Sequence, residues 1–387
     1  MRIKKVSFCN HELDWQFEPI YFSNLALLVG VSGVGKTQIL KGIFSLKEIA
    51  NGKSLNGLAW DITFLTKDEV EYQWIGEFET QKQPGIISED EDESSKFKII
   101  YEKLWRNGNL IIERNPNEIQ FQGNITPKLS PFQSVVYILN QEDDIAPVQE
   151  GFKKIIYSEN FRSNNIFYGI YGILNSEVEE LIRGNLSLDT IKDLNMPIAL
   201  KLALVYLQYS DIFNNIKNSF IEVFSQVEDI KIEVIEDKIS RPFPNLPIHT
   251  RRLPNFPVQI KEKGVNKWIL QNNISSGMLK TLIHISELYL APEGTVILID
   301  EFENSLGVNC IDVVTDLLLQ NKSLQFILTS HHPYIINNIA MEYWKIVTRR
   351  GGVVTVRDAK DFNLGKSRHQ AFLQLINLEE YSEGIKA

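Results

Sequence analysis

The chain has 387 residues, of which 43% are hydrophobic and 23% charged, the balance of a globular protein with material for a large core. Its net charge of −9 argues against a generally basic nucleic-acid binder, although a sum does not exclude a local basic groove. Cys9 and Cys310, each among apolar neighbours and far apart in sequence, cannot build a disulfide framework or a zinc site; a reducing cytoplasm suits them.

The start, "MRIKKVSFCNHELDWQF", alternates like a strand and lacks the apolar stretch of a secretion signal. No run approaches the ~18 apolar residues of a membrane span, so a cytoplasmic chain with no membrane role is expected. As far as Gln122, β-branched and aromatic segments alternate with turns: "RIKKVSF", "LALLVG", "DITFLT", "VEYQWIGEFE", "FKIIYEKLW" and "LIIERN". The single helix expected there follows Lys36. The acidic tract "SEDEDESS", Ser88 to Ser95, reads as a solvated loop or, alternatively, a partner-docking tail.

From about Asn164 to Val227 apolar residues recur at three- and four-residue spacing, which predicts helices too short for a long coiled coil. A Pro-rich connection, "RPFPNLPIHTRRLPNFP", follows. Beyond it come a strand at "VQIKEK", a helix near Ser276 to Leu290 and a strand at "TVILID". A helix near Asn309 to Gln320 and a strand at "QFILTS" complete an alternation expected of a parallel sheet. The remaining fifty or so residues read as closing strands and a terminal helix. Three blocks are expected: 1–163, a helical insertion at 164–227, and 228–387.

Within "LLVGVSGVGKTQIL", Gly30, Gly35, Lys36 and Thr37 fit G-x-x-x-x-G-K-[ST], between an apolar strand and a helix. Glycines allow the tight turn that aims backbone N–H groups inward, here across Gly30, Val31, Ser32, Gly33, Val34, Gly35, Lys36, Thr37 and Gln38. Lys36 is then expected to reach the β- and γ-phosphates of a nucleoside triphosphate, and the Thr37 hydroxyl to bind Mg²⁺. The bland alternative is a chance Gly-rich turn.

Three further segments bear on this loop. "VILIDEFENSLG" is an apolar strand ending in Asp300, suited to Mg²⁺, and Glu301, suited to polarise an attacking water; an acidic helix cap is the alternative. "FILTSHHPYIIN" ends its strand at His331 and His332. A metal pair lacks further spaced ligands, and His331 is favoured to reach the γ-phosphate and water. In "NNISSGMLKTL", Ser275, Ser276 and Gly277 open a helix, either as a plain N-cap or as an anion-facing helix tip.

Phosphate loop, helical insertion, "ISSGM", "LIDEFENSLG" and "TSHHP", in that order, resemble the heads of ABC-type ATPases. The soluble branch is the nearest in kind: SMC and double-strand-break-repair ATPases, and the AAA-labelled ATPases of OLD-type nucleases and anti-phage systems such as Septu and PARIS. The resemblance spans Arg2 to about Asn377. It implies an α/β P-loop head with a mixed sheet, an antiparallel β subdomain and an inserted helical region. It makes Lys36 and Thr37 the Walker A pair, Asp300 and Glu301 Walker B, and Ser275 with Gly277 the signature. Asn304 to Gly307 fall in the D-loop, and His331 is the switch histidine. Ser276 and Met278 depart from the usual signature, and Gln133 and Gln141 are both candidates for the Q-loop glutamine or for solvated loop residues.

The resemblance further implies ATP and Mg²⁺ as ligands and two copies meeting head to head, or a higher oligomer. Ser275 of one copy then touches the γ-phosphate held by Lys36 of the other. No acidic nuclease cluster follows "TSHHPYIINN", so an effector, a nuclease or toxin regulated in anti-phage defence, is expected to be a separate chain. A DNA-clamping repair or chromosome head, with Arg251, Arg252, Arg349 and Arg350 lending a phosphate-binding surface, is the alternative; a transporter subunit is third.

Overall fold

The computed structural model describes residues 1–81, 96–158, 181, 184–194, 196–233, 256–305, 311–362, 364–365, 367–378, 381 and 384–386. The acidic tract, residues 164–180, Arg251, Arg252, Leu306, Gly307 and Cys310 lie outside them. Contacts divide the chain into two units. The first comprises Met1–Glu159, Glu293–Phe302 and Lys322–Ala387; the second, Asn160–Pro292 and Glu303–Asn321.

The first unit opens with β1 (Arg2–Asn10), β2 (Trp15–Tyr21), β3 (Leu25–Val29) and helix α1 (Lys36–Ala50). Strands β4 (Leu58–Leu65), β5 (Glu71–Phe78), β6 (Ile99–Arg106), β7 (Asn109–Arg114), β8 (Ile119–Phe121) and β9 (Asn124–Ile125) follow. Then come α2 (Val135–Ile138), α3 (Ala146–Lys153) and β10 (Ile155–Ser158). The second unit holds α4 (Leu188–Asp193), α5 (Ile198–Gln208), α6 (Ser210–Val223), β11 (Val227–Ile232), β12 (Val258–Glu262), β13 (Ile269–Leu270) and α7 (Ser276–Leu290). The chain returns to the first unit in β14 (Val296–Ile299), passes through α8 (Phe302–Ser305) and α9 (Ile311–Gln320), and re-enters at β15 (Gln325–Thr329). It closes with α10 (Pro333–Asn338), β16 (Trp344–Arg350), β17 (Val353–Asp358), α11 (Arg368–Asn377) and β18 (Ile385–Lys386).

One mixed sheet runs β10-β14-β15-β3-β16-β17-β2-β1-β4-β5-β6-β7-β8-β9, with β18 beside β16. Strands β10, β14, β15, β3 and β16 pair in parallel. Every residue of β3, β14 and β15 is buried, as strands covered on both faces must be, which is why their sequences are unbroken apolar runs. Register pairs Ile299 with Leu328 and Thr329 with Leu28. The residues that leave these strands therefore emerge along a single edge of the sheet.

Beyond β2 the pairing is antiparallel, and β4 and β5 alternate buried with half-buried residues, the pattern of a sheet with one packed face. Trp60, Trp74 and Phe152 form its aromatic core, with Trp74 in edge contact with each of the other two at 5.1 Å between ring centroids. Phe152 comes from α3, one of two short helices that the sequence did not signal. The opening segment also differs from expectation: it is two strands, β1 and β2, joined by a turn in which Asn10 Oδ1 accepts from the Leu13 N–H at 3.0 Å.

A buried ion pair ties this region together. The Glu102 carboxylate, fully buried, accepts from Trp74 Nε1 at 2.9 Å, Ser134 Oγ at 2.5 Å and the Val135 N–H at 3.0 Å. Arg114 lies 3.5 Å from it and donates to the carbonyls of Gln133 and Ser130, both at 2.7 Å. Burial pushes the Glu102 carboxyl above its ordinary value and the Arg114 guanidinium below its own, and each partner's charge opposes the shift of the other. The arrangement fixes the backbone before α2 through hydrogen bonds that satisfy both charges.

In the second unit, β11, β12 and β13 form a small antiparallel sheet, and α7 packs against α5 and α6. Helix α7 is buried on most of its surface, including Thr281, His284, Ser286 and Glu287. Thr281 and Ser286 satisfy their hydroxyls on carbonyls one turn back, at 2.8 and 2.7 Å.

Candidate functional site

The loop between β3 and α1 is shaped by glycines at positions where a side chain would not fit. Gly30 has φ of 153°, and a Cβ there would stand 2.6 Å from the Val347 carbonyl oxygen. Gly35, with φ of 103°, caps α1 and leaves a Cβ only 3.0 Å from the Trp15 ring. No side chain caps the start of α1, so its first N–H groups face the loop. Lys36 is 5% exposed and turns into the loop, where Nζ donates to the carbonyls of Gly30 at 2.7 Å and Val31 at 2.8 Å. An ammonium inside a ring of backbone, at an uncapped helix start, is an arrangement able to cradle phosphate oxygens.

Two strands from β3, β14 leads directly into Asp300 and Glu301. Asp300 Oδ1 accepts from Thr329 Oγ1 at 2.6 Å, and the Glu301 N–H donates to the same Oγ1 at 2.8 Å. Glu301 is exposed and adopts the left-handed backbone, with φ of 46°. Thr329 ends β15 between them and is 1% exposed. His331 follows, half-buried. His332 does not complete a metal pair: its Nδ1 accepts from the Tyr334 N–H at 3.2 Å and caps α10.

Among the described residues no group of three or more His, Cys, Asp or Glu side chains could hold a metal alone. Thr37 and Asp300 are the residues here that could offer oxygens to a hard divalent ion alongside phosphate.

Two neighbours of the loop are Trp15, which sequence reasoning missed, and Arg349, which it had assigned only to a general phosphate-binding surface. The Arg349 guanidinium carbon sits 4.9 Å from the Trp15 ring centroid, and Nη1 donates to the Gly33 carbonyl at 3.1 Å. Arg349 thus braces the loop through both contacts. Only the strand-turn pattern of "TRRGGVVTV", which places it on a hairpin, hinted at its position.

Ser275, Ser276 and Gly277 open α7 in the second unit, whereas the loop, Asp300, Glu301 and His331 belong to the first. The Ser275 hydroxyl caps the helix, accepting from the Met278 N–H at 3.2 Å. Met278 is buried, a packing role that accounts for an apolar residue at this position. Asn304 and Ser305 end α8. Among the described residues neither Gln133 nor Gln141 bonds to the loop or to the ends of β14 and β15. Gln133 offers its carbonyl to Arg114, and Gln141 Nε2 donates to Asn140 Oδ1 at 2.6 Å.

A family model described as "AAA domain, putative AbiEii toxin, Type IV TA system" matches residues 210–337. That span, about a third of the chain, carries Ser275–Gly277, Asp300, Glu301 and His331 but not the phosphate loop. No curated protein matches the sequence. Among solved structures the chain is similar to an SMC head bound to the C-winged helix domain of ScpA. The TM-score is 0.51 at 15% identity, over 92% of this chain and 97% of that one. The fold is that of an ABC-type P-loop ATPase head. Two further SMC heads are similar at lower scores. The head from Thermotoga maritima gives a TM-score of 0.44 at 14% identity, over 92% of this chain and 99% of that one. A head with an extended coiled coil, bound to the C-terminal domain of ScpA and derived from Pyrococcus furiosus, gives 0.48 at 15%, over 92% and 96%. No helix among the described residues is long and apolar enough to cross a membrane.

Proposed function

We propose that the chain binds ATP with Mg²⁺, hydrolyses it, and closes on a second copy of itself around the bound nucleotide. The observation that carries this reading is the sheet edge formed by β3, β15 and β14. Lys36 inside its loop, the uncapped start of α1 and the Asp300–Glu301 pair all follow from these three adjacent strands. Lys36 and the loop N–H groups hold the β- and γ-phosphates. Thr37 and Asp300 supply oxygens for Mg²⁺, and a bound Mg²⁺ supplies neutralisation of the charge that builds on the leaving phosphate. Glu301 takes a proton from water as the water oxygen bonds to the γ-phosphorus and the bond to the bridging oxygen breaks, releasing ADP and phosphate. His331, one strand over, orients the γ-phosphate and the water.

The second copy enters through the signature segment. Ser275 and Ser276 are exposed, and a Cβ on Gly277 would meet nothing within 4 Å. The chain's own packing therefore makes no demand for glycine at 277, whereas close approach by phosphates held on another copy does. In this reading Ser275 and the start of α7 contact the γ-phosphate held by Lys36 of the other copy, and hydrolysis removes that contact. The resulting dimer, or a higher oligomer built from it, regulates a separate effector such as a nuclease or toxin in anti-phage defence. The matched family's description, which names a toxin and a toxin–antitoxin system, supports this placement.

Ser275→Arg tests the contact between copies, because a long cation would crowd the phosphate of the facing copy while leaving Walker A intact. Single-chain ATP affinity should stay within about threefold, ATP-dependent association should vanish in light scattering, and phosphate release should fall about 100-fold. Association of this variant with ATP as in the wild type would remove the signature contact from the account.

A further inference from the structure

We infer that Thr329 is a positioning residue that sets both Walker B carboxylates through a single hydroxyl. The inference rests on the ATPase reading above, and Thr329, although it opens "TSHHP", has no role in that reading.

Oγ1 of Thr329 donates to Asp300 Oδ1 at 2.6 Å and accepts from the Glu301 N–H at 2.8 Å. One hydroxyl proton is spent on the first bond and a lone pair on the second, so the rotor has a single satisfied orientation. Both bonds cross from β15 to the residues that leave β14, and the residue is 1% exposed, so water offers no easy substitute. Asp300 Oδ2 has no hydrogen bond among the described residues, which leaves one oxygen of an oriented carboxylate for a cation.

The backbone of Glu301 shows what the second bond does. Five described residues other than glycine have positive φ: Asp14, Glu69, Asn107, Gln122 and Glu301. The first four sit in turns joining neighbouring strands, β1 to β2, β4 to β5, β6 to β7 and β8 to β9, where such angles reverse the chain. Glu301 alone adopts one where a strand passes into a helix, β14 into α8. A left-handed non-glycine residue costs about 1–3 kcal/mol and persists only where its surroundings impose it. The bond from its N–H to Thr329 is such a constraint. It turns the Glu301 side chain out of the strand's alternation, so that the base and the metal-binding carboxylate do not simply face opposite sides of the sheet.

Valine in place of Thr329 keeps the β-branched shape that the strand packs and removes both bonds; serine restores them. In the full chain, Thr329→Val should lower kcat for ATP about 30-fold and raise the Mg²⁺ concentration for half-maximal turnover. KM and the ATP affinity measured without turnover should stay within about threefold, since the Walker A cradle is untouched. Thr329→Ser should recover turnover to within about threefold of the wild type. Thermal melting identifies any variant that fails to fold, and Thr329→Ala then replaces valine with the same expected split. Wild-type turnover in the valine or alanine variant, or a serine variant as slow as valine, would overturn the positioning role. A wild-type chain that shows neither Mg²⁺-dependent ATP binding nor turnover would instead overturn the ATPase reading, and this inference with it.

Discussion

Glu301→Gln is expected to bind ATP with near wild-type affinity, to turn it over at least ~100-fold more slowly, and to accumulate as a two-copy assembly. The amide is nearly isosteric with the carboxylate and keeps the backbone N–H that Thr329 accepts, so the left-handed strand end survives the change. It cannot take a proton from water, and the γ-phosphate that joins two copies is then not removed. Phosphate release at fixed enzyme concentration, together with size-exclusion light scattering with and without ATP, measures both effects. A variant that turns over normally would take the general-base role from Glu301. A variant of unchanged size in ATP would separate hydrolysis from assembly.

Lys36→Ala should lose ATP affinity about 100-fold or more. A hydrogen bond to a charged group contributes about 1.5–3 kcal/mol, and Lys36 is placed to make more than one to phosphate. The side chain is buried in the loop and pairs with two of its carbonyls, so truncation also frees the Gly30 and Val31 oxygens to face the anion. The loss should be nearly the same with and without the signature serine, because the nucleotide binds one copy before it recruits the other. Equilibrium binding of a fluorescent ATP analogue reads it. Normal binding by this variant would overturn the phosphate-cradle assignment.

The parallel core was legible because β3, β14 and β15 are buried on both faces, and each ends abruptly at Gly30, Asp300 or the Ser330–His331 pair. Helix α7 begins at Ser276 as expected, since a capping serine before an apolar periodic run is a local signal. Three things were not legible, for a common reason. Helices α2 and α3 span four and eight residues, too few turns to show a period, and α3 is anchored where Phe152 closes over Trp74. Trp15 meets Arg349 only because β17 pairs in parallel with β2 and antiparallel with β16, which carries Arg349, a register invisible in any one segment alone. Thr329 reads as an ordinary strand residue, and its role depends on which residues of β14 stand opposite. Long-range register, rather than local propensity, assembled the parts of the site that the sequence concealed.

In the proposed assembly each working site is built from Lys36 of one copy and Ser275 of the other. Mixing two inactive variants, Lys36→Ala and Ser275→Arg, and measuring phosphate release over a range of ratios separates a shared site from a self-contained one. In the mixed dimer the serine of the first variant faces the intact loop of the second, so one complete site forms. Activity should appear in the mixture and peak near equal proportions, although neither variant alone supports it. A mixture no more active than the sum of its two components would contradict a site shared between copies.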